Sequence, residues 1–142
     1  MKIFSGIAAA IMLVNGCSGS GGEQASYREL RSIAGAQAID CGLVRVKQDA
    51  ATANNCALAA FRDHHAFLVR YDVQGTDAMV VIGFARRMSG PIFTTEFDPT
   101  GWGTQVFPKG QKVLDNNRLL VKPCPMPPNL KVGNRGIVWC SD

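Results

Sequence analysis

Phe67–Phe97, FLVRYDVQGTDAMVVIGFARRMSGPIFTTEF, is the stretch whose reading decides the fold. Phe67, Val69, Tyr71 and Val73 alternate with Leu68, Arg70 and Asp72, the period of a half-buried strand. Gln74-Gly75-Thr76-Asp77 is a turn signal. Ala78 to Ala85 is almost unbroken apolar sequence rich in Val and Ile, and reads as a central strand. Ser89-Gly90-Pro91 marks a second turn. Ile92 to Phe97 reads as a third strand with Phe93, Thr95 and Phe97 on one side. Both connections are too short for a crossover, so the three strands form an antiparallel meander.

Upstream, the period changes to that of a helix. Asp49 is a good N-cap, and the alanines at 50, 51, 53, 57, 59 and 60 favour helix over Asp49 to His64. Ala53, Ala57, Ala60, Phe61 and His64 share one face at helical spacing. Further upstream, Ser26-Tyr27-Arg28-Glu29 has the form of a capping box, which predicts a short helix from Tyr27 to Ala34 stopped by Gly35. Downstream, Pro99 to Gly103 is a loop, and Arg118–Lys122 and Gly136–Cys140 are expected as short strands. Pro123, Pro125, Pro127 and Pro128 crowd around Cys124 and rule out a central strand there. The expected fold is α+β: one main helix packed on an antiparallel meander and stabilised by disulfides.

The chain holds five cysteines, Cys17, Cys41, Cys56, Cys124 and Cys140. Setting Cys17 aside leaves an even four, which an oxidising compartment would pair. Four cysteines allow three pairings. The local one, Cys41–Cys56 and Cys124–Cys140, is the expectation. Each bridge closes a loop of about 16 residues, worth roughly 3 kcal/mol in the chain-entropy view. Zinc-type spacing is missing, and the adjacent His64 and His65 would point about 100° apart on a helix. No metal or cofactor is expected.

The reason to set Cys17 aside lies at the start of the chain. Lys2 precedes Ile3–Val14, an uncharged and mostly apolar run. A helix of that length rises roughly 18 Å, well short of the roughly 30 Å hydrocarbon core, so the run reads as the apolar region of an export signal. It leads into Val14-Asn15-Gly16-Cys17-Ser18, which resembles the lipobox of bacterial lipoproteins. The resemblance covers the leader alone. It implies cleavage after Gly16, more than one acyl chain, palmitate among them, on Cys17, and a lipid-anchored place in the cell envelope. Ser18, where many Gram-negative lipoproteins retained at the inner membrane carry Asp, implies the outer membrane, facing the periplasm. Ser18-Gly19-Ser20-Gly21-Gly22 has the composition of a flexible linker. The expected organisation is therefore a signal peptide over 1–16, a lipidated tether over 17–25 and one α+β domain over 26–142.

The net charge of +4 falls by one with removal of Lys2. The basic residues are scattered, only Arg86-Arg87 being adjacent, so no nucleic-acid partner is expected. Asp63-His64-His65 has the composition of an oriented general base, but neighbours on a helix do not face each other, and a histidine at a helix C-terminus suits the dipole. Glu96 and Asp98 share a strand face without a nucleophile motif nearby. No catalytic residue is expected. Trp102, between Gly101 and Gly103 on a loop, is the candidate binding residue, while Trp139, beside Cys140 in an apolar strand, reads as core. Met88-Ser89-Gly90 weakly resembles the Ser-Gly loop of small periplasmic lysozyme inhibitors, which implies an enzyme inhibitor as the alternative. The leading expectation is a non-enzymatic envelope protein that binds another protein or the cell wall. A pocket joining His64 or His65 to Glu96 or Asp98 would favour a small periplasmic enzyme instead.

Overall fold

The computed structural model describes residues 21–103 and 105–141. The expected export signal, Cys17 and the first part of the expected tether lie outside them. The elements run α1 (Gly21–Ala34), β1 (Ile39–Val44), α2 (Ala51–Arg62), β2 (Phe67–Gln74), β3 (Met79–Arg86), β4 (Ile92–Phe97), β5 (Lys112–Leu114), β6 (Leu119–Pro123), β7 (Leu130–Val132) and β8 (Val138–Cys140). The first six strands form one sheet in the order β1-β2-β3-β4-β6-β5, and β7 and β8 form a separate hairpin. The chain is α+β, as expected. The meander β2–β3–β4 is antiparallel throughout, with Tyr71 opposite Ile82 and Gly83 opposite Thr95.

Three features depart from the expectation. The sheet is mixed: β1 pairs parallel to β2, and α2 is the crossover between them. Ile39-Asp40-Cys41-Gly42 shows no alternation in sequence, and its register with β2 shifts between Asp40 and Leu43, where Gly42 takes a left-handed φ of 91°. The short strand expected over Gly136–Cys140 forms, but apart from the main sheet. Its last three residues pair with β7 in the hairpin. The two expected helices also lie on opposite faces of the sheet, in place of a single main helix covering one face. Alternation along β2 and β3 divides the core accordingly. Phe67, Val69, Tyr71, Ile82 and Phe84 pack with Ala53, Ala57 and Ala60 of α2 and with Leu130, Ile137 and Val138 of the hairpin region. On the other face Leu68 and Ala85 pack with Leu30 and Ala34 of α1, while Val81, Phe97, Leu119 and Val121 pack with its Ala25.

The first helix starts six residues before the predicted Tyr27, so 21–25 belong to the folded domain and not to a tether. The cause is contact with the sheet. Gly22 lies so close to Phe97 that a Cβ there would collide with the ring, and Gly83 leaves room on β3 for Leu30 in the same way. Ser26, now inside the helix, does not cap it. Its buried hydroxyl shares a 3.1 Å hydrogen bond with the Thr95 hydroxyl. Glu29 does not reach back to close a capping box, and instead accepts from Lys112 Nζ at 2.6 Å.

Asp49 misses the expected N-cap position by one residue: Ala50 occupies it, and Asp49 Oδ1 accepts the Ala51 amide at 3.0 Å. Both expected disulfides form, Cys41–Cys56 across 5.6 Å between Cα atoms and Cys124–Cys140 across 5.8 Å. The first ties α2 to β1, and the second ties the hairpin to the end of β6. No helix among the described residues is long and apolar enough to cross a membrane.

Candidate binding groove between the two tryptophans

The two helices do not cover the sheet equally. α1 lies along β2, β3, β4 and β6, whereas α2 and the hairpin region cover β1, β2 and, at Ile82 and Phe84, part of β3 on the opposite face. Beyond their edge, Ile82, Glu96 and Lys122 line a groove of about 900 Å³ whose far wall is the hairpin, with Lys131, Arg135 and Trp139. A second depression of about 450 Å³ adjoins it, sharing Ile82, Glu96 and Arg135 and ending at Trp102. The chain's two tryptophans therefore stand on one continuous surface, with Arg135 between them.

Trp139 is not core. It is 42 % exposed, and its ring rests edge-on against the buried Phe84, centroids 6.2 Å apart. Its orientation follows from the period of β8. Val138 and Cys140 face the core, and Cys140 is bound to Cys124, so the residue between them points outward. Lys131 sits directly opposite Trp139 in the hairpin and so shares its face. Trp102 is half-buried and fixed at its polar edge: Nε1 donates to the Arg118 carbonyl at 3.1 Å, and its backbone amide donates to the Asn117 carbonyl at 2.9 Å.

The hairpin tip is positioned from below. Gly136 takes φ 73° in the turn between β7 and β8, and its carbonyl accepts from Asn54 Nδ2 of α2 at 2.7 Å. Asn54 Oδ1 in turn accepts from the Tyr71 hydroxyl at 2.8 Å. Both side chains are buried, and burial pushes the Tyr71 phenol up to about 12 against an opposing effect from the Val138 backbone. This relay sets Arg135, one residue before Gly136, over the groove. The sequence does carry a signal for it: Asn54 stands beside the stripe Ala53, Ala57 and Ala60, where an uncompensated amide would be costly to bury.

The electrostatics of the groove are those of a mildly basic surface. Glu96 is neutralised by Lys122, 2.5 Å away. Lys131 and Arg135 have no acidic partner within ion-pair distance among the described residues, whereas Arg31, Arg45, Arg62, Arg70, Lys112 and Arg118 each do.

Of the other candidates from the sequence, Asp98 lines the depression that ends at Trp102 together with Glu96, and the two histidines lie apart from both. His64 and His65 follow α2 and are exposed, and His64 holds φ 58° at the helix end. The His65 amide donates to the Ala60 carbonyl at 2.8 Å and the His64 amide to that of Phe61 at 3.3 Å, the paired bonds of a Schellman stop. Asp63 is engaged by Arg62 at 2.9 Å, which lowers its carboxyl below the ordinary range. His65 lines a separate depression with Ala38 and Met88, away from Glu96 and Asp98. Asp98 is committed to its own turn, accepting from the Thr100 amide at 2.8 Å and hydroxyl at 2.6 Å. Met88 and Ser89 form the exposed turn between β3 and β4. Among the described residues no three His, Cys, Asp or Glu side chains come close enough to hold a metal ion. No family model, curated protein or solved structure matches the chain.

Proposed function

We propose that this chain is a lipid-anchored envelope protein whose folded domain binds its target through the groove between Trp102 and Trp139. One observation carries the binding reading: both tryptophans of the chain line adjoining depressions that share Ile82, Glu96 and Arg135. Exposed aromatics beside Arg are the residues that most often anchor a partner. A binding role is further supported by the placement of the acid–base candidates: His65 lines a depression separate from Glu96 and Asp98, and Asp98 is engaged by its own turn. The anchor reading rests on the leader, and the two disulfides support it by using the four remaining cysteines in pairs and leaving Cys17 as the odd one.

Full-length protein should partition with membranes, and Cys17→Ser should release it. Released protein should be retained on washed, isolated envelopes. Trp139→Ala and Trp102→Ala should each weaken that retention severalfold, with the fold intact by circular dichroism, while His64→Ala and His65→Ala leave it unchanged. Loss of activity in a histidine variant, with both tryptophan variants silent, would overturn the binding reading in favour of an enzyme.

A further inference from the structure

Resting on that groove reading, we infer that the ligand is an acidic glycan: a run of pyranose rings carrying carboxylates, as a cell-wall polysaccharide supplies. The Trp139 indole offers an apolar face at the surface and is backed by Phe84, so it is a fixed platform for the C–H face of a sugar ring. Lys131 lies directly across the hairpin from that platform. Arg135 stands at the hairpin tip, held there by the bond from Asn54 to the Gly136 carbonyl. Both cations lack an acidic partner among the described residues; of the two carboxylates along this surface, Glu96 is cancelled by Lys122, and Asp98, in the depression that ends at Trp102, is engaged by the Thr100 amide and hydroxyl. The groove therefore presents an aromatic surface with two uncompensated cations beside it, and a carboxylate on a sugar ring satisfies both in a single ligand.

An acidic peptide fits less well. Peptide anchors are large apolar side chains seated in desolvated pockets. Here Ile82 shares the floor of the groove with the Glu96–Lys122 ion pair, and the wall carries Lys131 and Arg135, so the groove offers no deep apolar pocket. A flat ring stacked on an exposed indole needs no such pocket. Trp102, at the end of the adjoining depression, offers a second aromatic contact farther along the same strand of sugar.

The test uses the full-length protein in detergent and follows tryptophan emission, since both reporters stand in the groove. The probes are peptidoglycan fragments stripped of their stem peptides by an amidase, so that the only carboxylates are those on the sugar rings, with neutral chitotetraose and polyglutamate for comparison. Peptidoglycan fragments should shift the emission and bind at least tenfold more tightly than either other probe. Lys131→Glu with Arg135→Glu, both exposed positions, should weaken that binding tenfold or more. Trp139→Phe should weaken it severalfold and remove most of the emission change. Equal binding of chitotetraose overturns the acidic requirement, and equal binding of fragments by the charge-reversed protein does the same. Tight binding of polyglutamate with no response to the fragments overturns the glycan and keeps the groove, with an acidic peptide as occupant. Silence toward all three probes, with Trp139→Ala still retained on envelopes, overturns the groove itself.

Discussion

Tyr71 shows how one side chain links the core to the surface. Its ring is 1 % exposed and its hydroxyl begins the relay through Asn54 to the hairpin tip. Because burial raises the phenol in the folded state to about 12, against 10.0 for an ordinary tyrosine, the folded state favours the protonated form. The resulting stability is fully present below pH 10 and is lost as pH climbs through about 12. Two units correspond to about 3 kcal/mol. Denaturant titrations from pH 9 to 12 should show this loss, and Tyr71→Phe should flatten it relative to the parent protein. Asn54→Ala strands the Tyr71 hydroxyl and the Gly136 carbonyl together and should cost about 1–3 kcal/mol at neutral pH. Trp139 teaches a related lesson about inference from residues. The apolar neighbours Val138 and Cys140 suggested a buried strand, yet strict alternation, with both neighbours facing the core, sends the indole outward. That signal was present in the sequence once Cys140 was assigned to a bridge.

At the level of the elements, periodicity served well where one face was buried and failed where contacts set the boundary. The meander was legible because β2 and β3 alternate, or run apolar, over eight residues each. The alanine face of α2 was legible for the same reason. The strand β1 was not, since six residues containing Asp40 and Gly42 carry no pattern, and its pairing comes from the crossover and from Cys41–Cys56. Nor was the start of α1. Gly21 and Gly22 have poor helix propensity, and the proximity of Phe97 accounts for a glycine at 22. The seat of α1 gives a direct check. A methyl group at Gly83 would meet Leu30 and the Thr95 hydroxyl. Gly83→Ala should therefore destabilise the domain by about 1–3 kcal/mol through overpacking, read as a lower denaturant midpoint, although alanine suits a strand better than glycine does. The groove, by contrast, was only half legible: Trp102 could be named, but Arg135 and Lys131 acquire meaning only when the hairpin leaves the main sheet and faces Glu96 and Lys122.

For the molecule as a whole, each bridge ties a helix or hairpin to the main sheet: Cys41–Cys56 joins α2 to β1, and Cys124–Cys140 joins β8 to the end of β6. Replacing Cys41 and Cys56 together with alanine should cost about 3 kcal/mol, visible in thermal unfolding under non-reducing conditions and absent when both proteins are fully reduced. The same bridge bears on how the sheet ends. β1 and β5 are its two borders. An open border is a row of unpaired amides and carbonyls that invites another chain to add a strand. Here β1 loses its register at Gly42 and is stapled through Cys41, while β5 is three residues long and begins with Lys112. Neither offers a straight run on which a neighbour could zip. Copies brought close together on one surface can therefore lie side by side without their sheets fusing into a shared ribbon.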